Sequence, residues 1–365
     1  MPKIDAIVLF SGGLDSILAA RLLQEQGLAV RCLHFVSPFF GNPAALDGWM
    51  RDYGLDEIES IDIGEDFCRM LAGGPAHGFG KVLNPCVDCK ILLLRRARER
   101  MLELGASFLA SGEVIGQRPM SQRRDSLHLI QREAGVGGFL LRPLCAQHMP
   151  PTAPELSGLV RREALPGLSG RGRSGQIELA RKFRLARIPT PAGGCLLTER
   201  ENARSFWPLL AHGPGGDKNA PADAGDFALA AMGRQFWRHE PGGACWLVIG
   251  RNQADNAAIA GACRAGDCLI RIAGFPGPLG LARRGSEWPR GALREAAAFC
   301  ASYSPKAVAS GQECLARLTV ESSVREVRVT PCRNAGWEPP SWASAHEAIS
   351  RARRHPKGAG ERAGS

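Results

Sequence analysis

No run of about 18 apolar residues occurs in the 365-residue chain, so no membrane-spanning helix is expected. The opening MPKIDAIVLFSGG carries a short apolar run but no small-residue cleavage site. It reads as a buried strand entering a glycine turn, and no secretory leader is expected. No Gly-Lys-Ser/Thr follows the turn, which excludes a Walker loop. There is one C-x-x-C and no second, so a zinc site lacks an obvious fourth ligand. Nothing signals export, so the twelve cysteines are expected as reduced thiols in a cytoplasmic protein, not as a disulfide framework. No internal repeat is seen.

What is present points to two domains, the natural division of a chain this long with 44% hydrophobic residues. The net charge of +10 favours a polyanionic partner, although part of the surplus sits in the tail Arg351-Ala352-Arg353-Arg354-His355. Ile4 to Phe10 reads as a buried strand, Asp15 to Gln26 as a helix ended by Gly27, and Ala29 to Phe35 as a second strand. Ile58 to Ile63, a helix over Cys89 to Leu104 and a strand over Ser107 to Ser111 continue the alternation. The expected fold is α/β, an open, mostly parallel sheet with helices on both faces. Residues 213–225, rich in Gly, Pro, Ala and Asp, read as a linker between residues 1–212 and a smaller α+β domain over 226–330. Residues 331–365 read as an extension whose last part, polar and basic, is expected to be disordered.

Ser11-Gly12-Gly13-Leu14-Asp15-Ser16 lies between a strand and a helix. Two glycines allow close backbone approach to an anion, and the helix start offers free N–H groups. Ser11 and Ser16 can add hydroxyl donors. The bland alternative is a plain turn capped by Ser11 or Asp15. SGGLDS in this context resembles the PP-loop of the ATP pyrophosphatases, which implies ATP with Mg²⁺ and adenylation of a substrate.

Cys86 and Cys89, in Asn84-Pro85-Cys86-Val87-Asp88-Cys89-Lys90, stand at a helix start, where positive N–H groups favour thiolate. A third cysteine, Cys195, follows Gly193-Gly194. NPCVDCK is similar to a segment of the bacterial tRNA 2-thiouridylases. Gly112, Glu113 and Gln117 in SGEVIGQ, with Ser121-Gln122 beyond, are similar to a segment of the tRNA 4-thiouridine synthetases, as is Leu141-Arg142-Pro143-Leu144. The resemblance implies a tRNA thiolase. Its three cysteines would hold a [4Fe–4S] cluster with one iron open to sulfide. Gly112, Glu113 and Gln117 would contact nucleotide or uridine, and a sulfur donor, sulfide or a cysteine-desulfurase product, would be a partner. Persulfide chemistry and structural thiols stay open beside the cluster. So do a different PP-loop ligase and a non-catalytic RNA-binding factor.

Arg161, Arg162, Arg171, Arg173, Arg181, Lys182, Arg184 and Arg187 form a basic stretch that reads as tRNA-facing or simply solvated. With the loop at residue 11, no RNA-binding domain is expected ahead of it. Arg234, Arg251 and Asn252, in GRQFW and IGRNQADN, resemble the RNA-binding domain of the NFACT proteins, which implies that the second domain captures RNA.

Overall fold

The computed structural model describes residues 3–189, 194–214, 220–240 and 243–354. The main division into two compact units falls between Thr198 and Glu199.

The first unit runs β1 (Ala6–Leu9), α1 (Leu14–Gln24), β2 (Val30–Val36), α2 (Leu46–Tyr53), β3 (Ile58–Asp62), α3 (Gly64–Gly73), α4 (Cys86–Glu103), β4 (Phe108–Ser111), α5 (Arg124–Glu133), β5 (Leu140–Leu141), α6 (Ala153–Leu156) and α7 (Ser174–Lys182). Its sheet has the order β3-β2-β1-β4-β5, and every pairing is parallel. β1 (AIVL) and β4 (FLAS) are buried at every position, as central strands covered on both faces must be. The chain leaves β1 towards β2 and β3 on one side and later lays β4 and β5 on the other. The crevice between the carboxyl ends of β1 and β4 is therefore the topological switch point, where open α/β sheets take ligands. Leu9 pairs with Ser111, so residues 10–16 and 112–117 both leave the sheet there.

The second unit contains α8 (Arg200–His212), α9 (Ala224–Ala230), β6 (Arg234–Glu240), β7 (Gly243–Ile249), α10 (Gln253–Gly261), β8 (Cys268–Ile272), β9 (Gly280–Arg283), α11 (Ala292–Ala301), α12 (Pro305–Ser310), β10 (Cys314–Val320), β11 (Ser323–Val329) and α13 (Trp342–Arg354). Six antiparallel strands in the order β11-β10-β8-β9-β7-β6 form its sheet. Phe236, Leu247, Ile270, Phe299 and Trp337 lie in its core. Arg283 is buried between Asp226 and Asp267, at 2.5 and 2.7 Å.

Several boundaries differ from the sequence reading. The division comes earlier than the 213–225 segment, because α8 packs with α9 and α13 inside the second unit. Ala224 already begins α9, capped by the Asp223 carboxylate. Residues 331–354 are folded: Trp237 and Glu338 exchange backbone hydrogen bonds of 2.8 and 2.9 Å, and α13 runs on to Arg354, into the stretch read as disordered. Residues 355–365 lie outside the described residues. Among the described residues no helix is long and apolar enough to cross a membrane.

Candidate functional site

The glycine loop is held from within and from below. Gly12 takes φ +76°, a left-handed conformation that favours glycine, and a Cβ there would meet the Trp49 indole at 2.5 Å. Ser16 Oγ donates to the Gly13 carbonyl at 2.8 Å and accepts from Ser11 N–H at 3.2 Å. Ser11 Oγ accepts from Gly13 N–H at 3.4 Å. The two hydroxyls, expected as donors to a guest, thus staple the loop itself. Leu14 turns its side chain into the core and can offer a guest only backbone. Gly13 has extended geometry at the head of α1 and makes no side-chain cap, so the first-turn N–H groups receive no capping side chain.

Beneath the loop, buried His34 accepts from Asn42 N–H through Nε2 at 2.9 Å. Its Nδ1 therefore carries the proton and donates to the Phe10 carbonyl at 3.1 Å. Burial holds its pKa below the ordinary value, opposed by that Phe10 bond. Phe10, His34 and Trp49 meet edge to face. His34 and Trp49 were not among the sequence-level candidates. His34 sits in strand-like text, and only the topology shows that β2 runs beside the loop-bearing strand.

The segment after β4 closes over the loop. Gly112 packs so tightly that a Cβ would lie 2.4 Å from the Asp15 carbonyl oxygen. Gln117 Nε2 donates to Asp15 Oδ2 at 3.0 Å, while Asp15 Oδ1 and Gln117 Oε1 are buried acceptors that receive no hydrogen bond. Glu113, only 2% exposed, accepts from Ser111 Oγ at 3.0 Å and Arg142 Nε at 3.1 Å, and its other oxygen lies 3.7 Å from Lys90 Nζ. Burial alone would raise its pKa; Lys90 and Arg142 outweigh burial and hold the carboxyl below its usual range. Glu113, expected to touch nucleotide or uridine, is thus committed to a buried ion network that ties α4 to this segment.

α4 begins at Cys86, three residues before the sequence reading started it, so both C-x-x-C thiols lie in its first turn. A crossover helix runs antiparallel to its strands, which brings this end to the switch-point edge. Asn84 Nδ2 donates to Cys86 Sγ at 3.1 Å and approaches Met120 Sδ, in the segment after β4, at 3.5 Å. Asp88 accepts from the N–H groups of Ala76 and His77 at 3.0 and 3.1 Å. Leu83 N–H donates to the Leu197 carbonyl at 3.1 Å, which pins the Cys195 segment beside the C-x-x-C. All three cysteines are half-buried free thiols, and they are close enough to act on one another electrostatically. Burial pushes the Cys89 thiol far above its usual range, with Cys195 adding to the effect and Lys90 opposing it. Burial likewise pushes Cys195 up to about 12, opposed by the Leu197 N–H, with Cys86 adding to the rise. For Cys89 the lowering expected from the helix start is overcome by desolvation. Gly193, before Cys195, lies outside the described residues. Among the described residues no three His, Cys, Asp or Glu side chains are arranged to hold a metal ion.

Several of the remaining candidates carry local contacts. Arg162 is bound by Glu155 at 2.6 Å and by two carbonyls, Lys182 pairs with Glu25, and Arg187 with Asp52. In the second unit Asn252 Oδ1 caps α10 by accepting from Asp255 N–H at 2.9 Å. Arg251 pairs with Asp255 at 2.6 Å, and Arg234 donates to the Gly250 carbonyl at 3.2 Å.

A five-stranded parallel sheet with a stapled glycine loop at its switch point makes the first unit an open α/β fold of the kind the sequence implied. No family model matches the chain. It is 30% identical over 130 residues to a probable tRNA sulfurtransferase of Methanosarcina acetivorans, covering 33% of this chain and 30% of that protein. It is 29% identical over 146 residues to a probable tRNA sulfurtransferase of Ureaplasma parvum, covering 39% and 36%. For that of Methanosarcina mazei the identity is 31% over 129 residues, covering 33% and 31%. The chain thus spans about a third of the length of the curated relatives it matches. A solved structure described as a predicted subunit of tRNA methyltransferase from Methanocaldococcus jannaschii aligns with TM-score 0.30 and 18% identity, covering 42% of this chain and 76% of that one. At that TM-score the likeness decides nothing. The likeness to tRNA thiolases rests on these partial sequence matches.

Proposed function

We propose that the chain transfers sulfur to tRNA at the expense of ATP, adenylating a uridine and replacing its carbonyl oxygen with sulfur. The observation that carries the reading is the convergence of Cys86, Cys89 and Cys195 on the sheet edge that bears the glycine loop, linked to it through Lys90, Glu113, Asn84 and Met120.

ATP phosphates would lie on the backbone N–H groups of residues 11–16, at the positive end of α1. Asp15 Oδ1 and Gln117 Oε1, buried oxygens in want of a donor, suit Mg²⁺, a hard cation that binds oxygen. The uridine carbonyl oxygen attacks the α-phosphate, pyrophosphate leaves, and the loop stabilises the charge that develops on the phosphates. Sulfur then displaces AMP. The SGEVIGQ and Ser121-Gln122 text favours 4-thiouridine over 2-thiouridine as product.

The three thiols fit a [4Fe–4S] cluster in kind; bound as thiolates they would leave one iron open to sulfide, which supplies the nucleophilic sulfur. A second reading rests on the same three half-buried free thiols and dispenses with iron. One cysteine would carry the sulfur as a persulfide and another would release it by forming a disulfide. Sulfide would be the donor for the cluster reading; for the persulfide reading the donor would be a cysteine-desulfurase persulfide, whose outer sulfur moves to the thiolate as the donor's own thiolate leaves. RNA capture by the second unit, with Arg234, Arg251 and Asn252 as contacts, belongs to the same proposal.

Mass analysis of tRNA nucleosides from a deletion strain tests the reaction: a missing thiouridine is expected, and unchanged nucleosides would reject it. Anaerobic purification with iron and sulfide assays, beside Cys86→Ala, tests the centre. An iron-free protein that still thiolates tRNA would remove the cluster.

A further inference from the structure

Two loops at the switch-point edge contain no acidic residue: the stretch between Glu113 and Asp125, and the stretch between Glu163 and Glu178. The structure joins them. Ile115 and Ser169 form a parallel bridge, Gly170 N–H donates to the Ile115 carbonyl at 2.8 Å, and Gly116 and Gly170 face each other, both with φ +79°. The first loop is in turn bound to the glycine loop through Gln117 and Asp15. The second, Ser169-Gly170-Arg171-Gly172-Arg173, leads into α7, which packs against α1. Lys182, closing α7, pairs with Glu25 just after α1, so the two helices run alongside in one direction and both open at this edge.

Arg171 is exposed and Arg173 half-buried, and exposed Arg118 stands on the facing loop. No ion pair engages any of the three among the described residues, whereas Arg162, Lys182 and Arg187 nearby in the sequence are all paired. Unpaired guanidiniums on acid-free loops, beside two helix starts, make a positive rim that extends beyond the loop held by residues 11–16. Gln176, in the first turn of α7, is 1% exposed and its Nε2 finds no acceptor.

We propose that Arg171 and Arg173, with Arg118 opposite, hold backbone phosphates of the RNA that presents its uridine to the glycine loop. This rests on the reading of the chain as an RNA-modifying enzyme and names the part of the first unit that grips the substrate. Arginine suits the task because its planar fork meets phosphate oxygens in pairs.

The test is equilibrium binding of an unmodified tRNA transcript to the full chain across a salt series, with ATP binding measured in parallel. Arg171→Ala/Arg173→Ala is expected to weaken tRNA binding roughly tenfold and to flatten the slope of log K against log salt by about 1.5, two phosphate contacts' worth. ATP affinity is expected to stay unchanged. Arg171→Lys/Arg173→Lys should restore most of the salt slope, since charge is kept. An unchanged tRNA affinity and slope would overturn the proposal; so would loss of ATP binding with tRNA binding intact, which would assign the loop to the nucleotide. If wild type binds tRNA through these arginines but no thiouridine is missing in the deletion strain, the reaction fails and this surface stands.

Discussion

At the scale of single residues, the site depends on atoms that are missing or unusually placed. Gly12→Ala would put a methyl group against the Trp49 indole in a left-handed backbone, at a cost of about 1–3 kcal/mol. A lowered melting temperature and lost ATP binding are expected; wild-type values in both would show that the loop tolerates a side chain. His34 gives a pH signature. Its folded pKa lies below the ordinary histidine value of 6.5, so between the two values the unfolded chain binds more protons. Its contribution is complete above the unfolded value and is lost as pH falls through the lowered one. Melting temperatures followed from about pH 7 down to about pH 5 should drop more steeply for wild type than for His34→Gln. Parallel curves would count against His34 as the titrating group.

Among the elements, α4 and the segment after β4 act as one piece through Glu113. Glu113→Gln would leave Lys90 and Arg142 facing a neutral amide, and losing a buried partner costs about 3–5 kcal/mol. Urea unfolding is the measurement, and a loss under about 1 kcal/mol would mean the network is dispensable. Legibility follows the same lines. β1, α1, β2, β3 and β4 were readable because strict apolar runs alternate with a 3.6-residue pattern and glycine stops. SGGLDS was readable because the chemistry needs consecutive residues. The Lys90–Glu113–Arg142 network was not, since its members stand 23 and 29 positions apart and nothing local marks the pairing. The start of α4 was missed because Pro85, just before the first helical residue, reads equally well as loop. Glu113 was read as a ligand because sequence shows a carboxylate's presence and not its partners.

For the molecule as a whole, the sequence suggested a second domain complete near residue 330. The fold needs more chain than that. Trp337 is only 6% exposed in the core of the second unit, beside Trp288 and Phe299, with Arg238 over its ring at 5.0 Å. Trp337→Ala should cost about 3–5 kcal/mol, as large core truncations do. A chain ending at Thr330 should be poorly soluble or melt early. If it melts as the full chain does, the later residues are ornament. They went unread because a basic, polar stretch with one buried tryptophan carries no periodic signal.

The contact between Gly12 and Trp49 has an optical corollary. An indole packed against the strand-to-helix turn, half-buried and touching His34, should change its emission when phosphates settle above it. Ligand titrations could then be followed in the native chain without a dye. Seven tryptophans contribute to the spectrum, so the share that belongs to position 49 is the part that vanishes in Trp49→Phe.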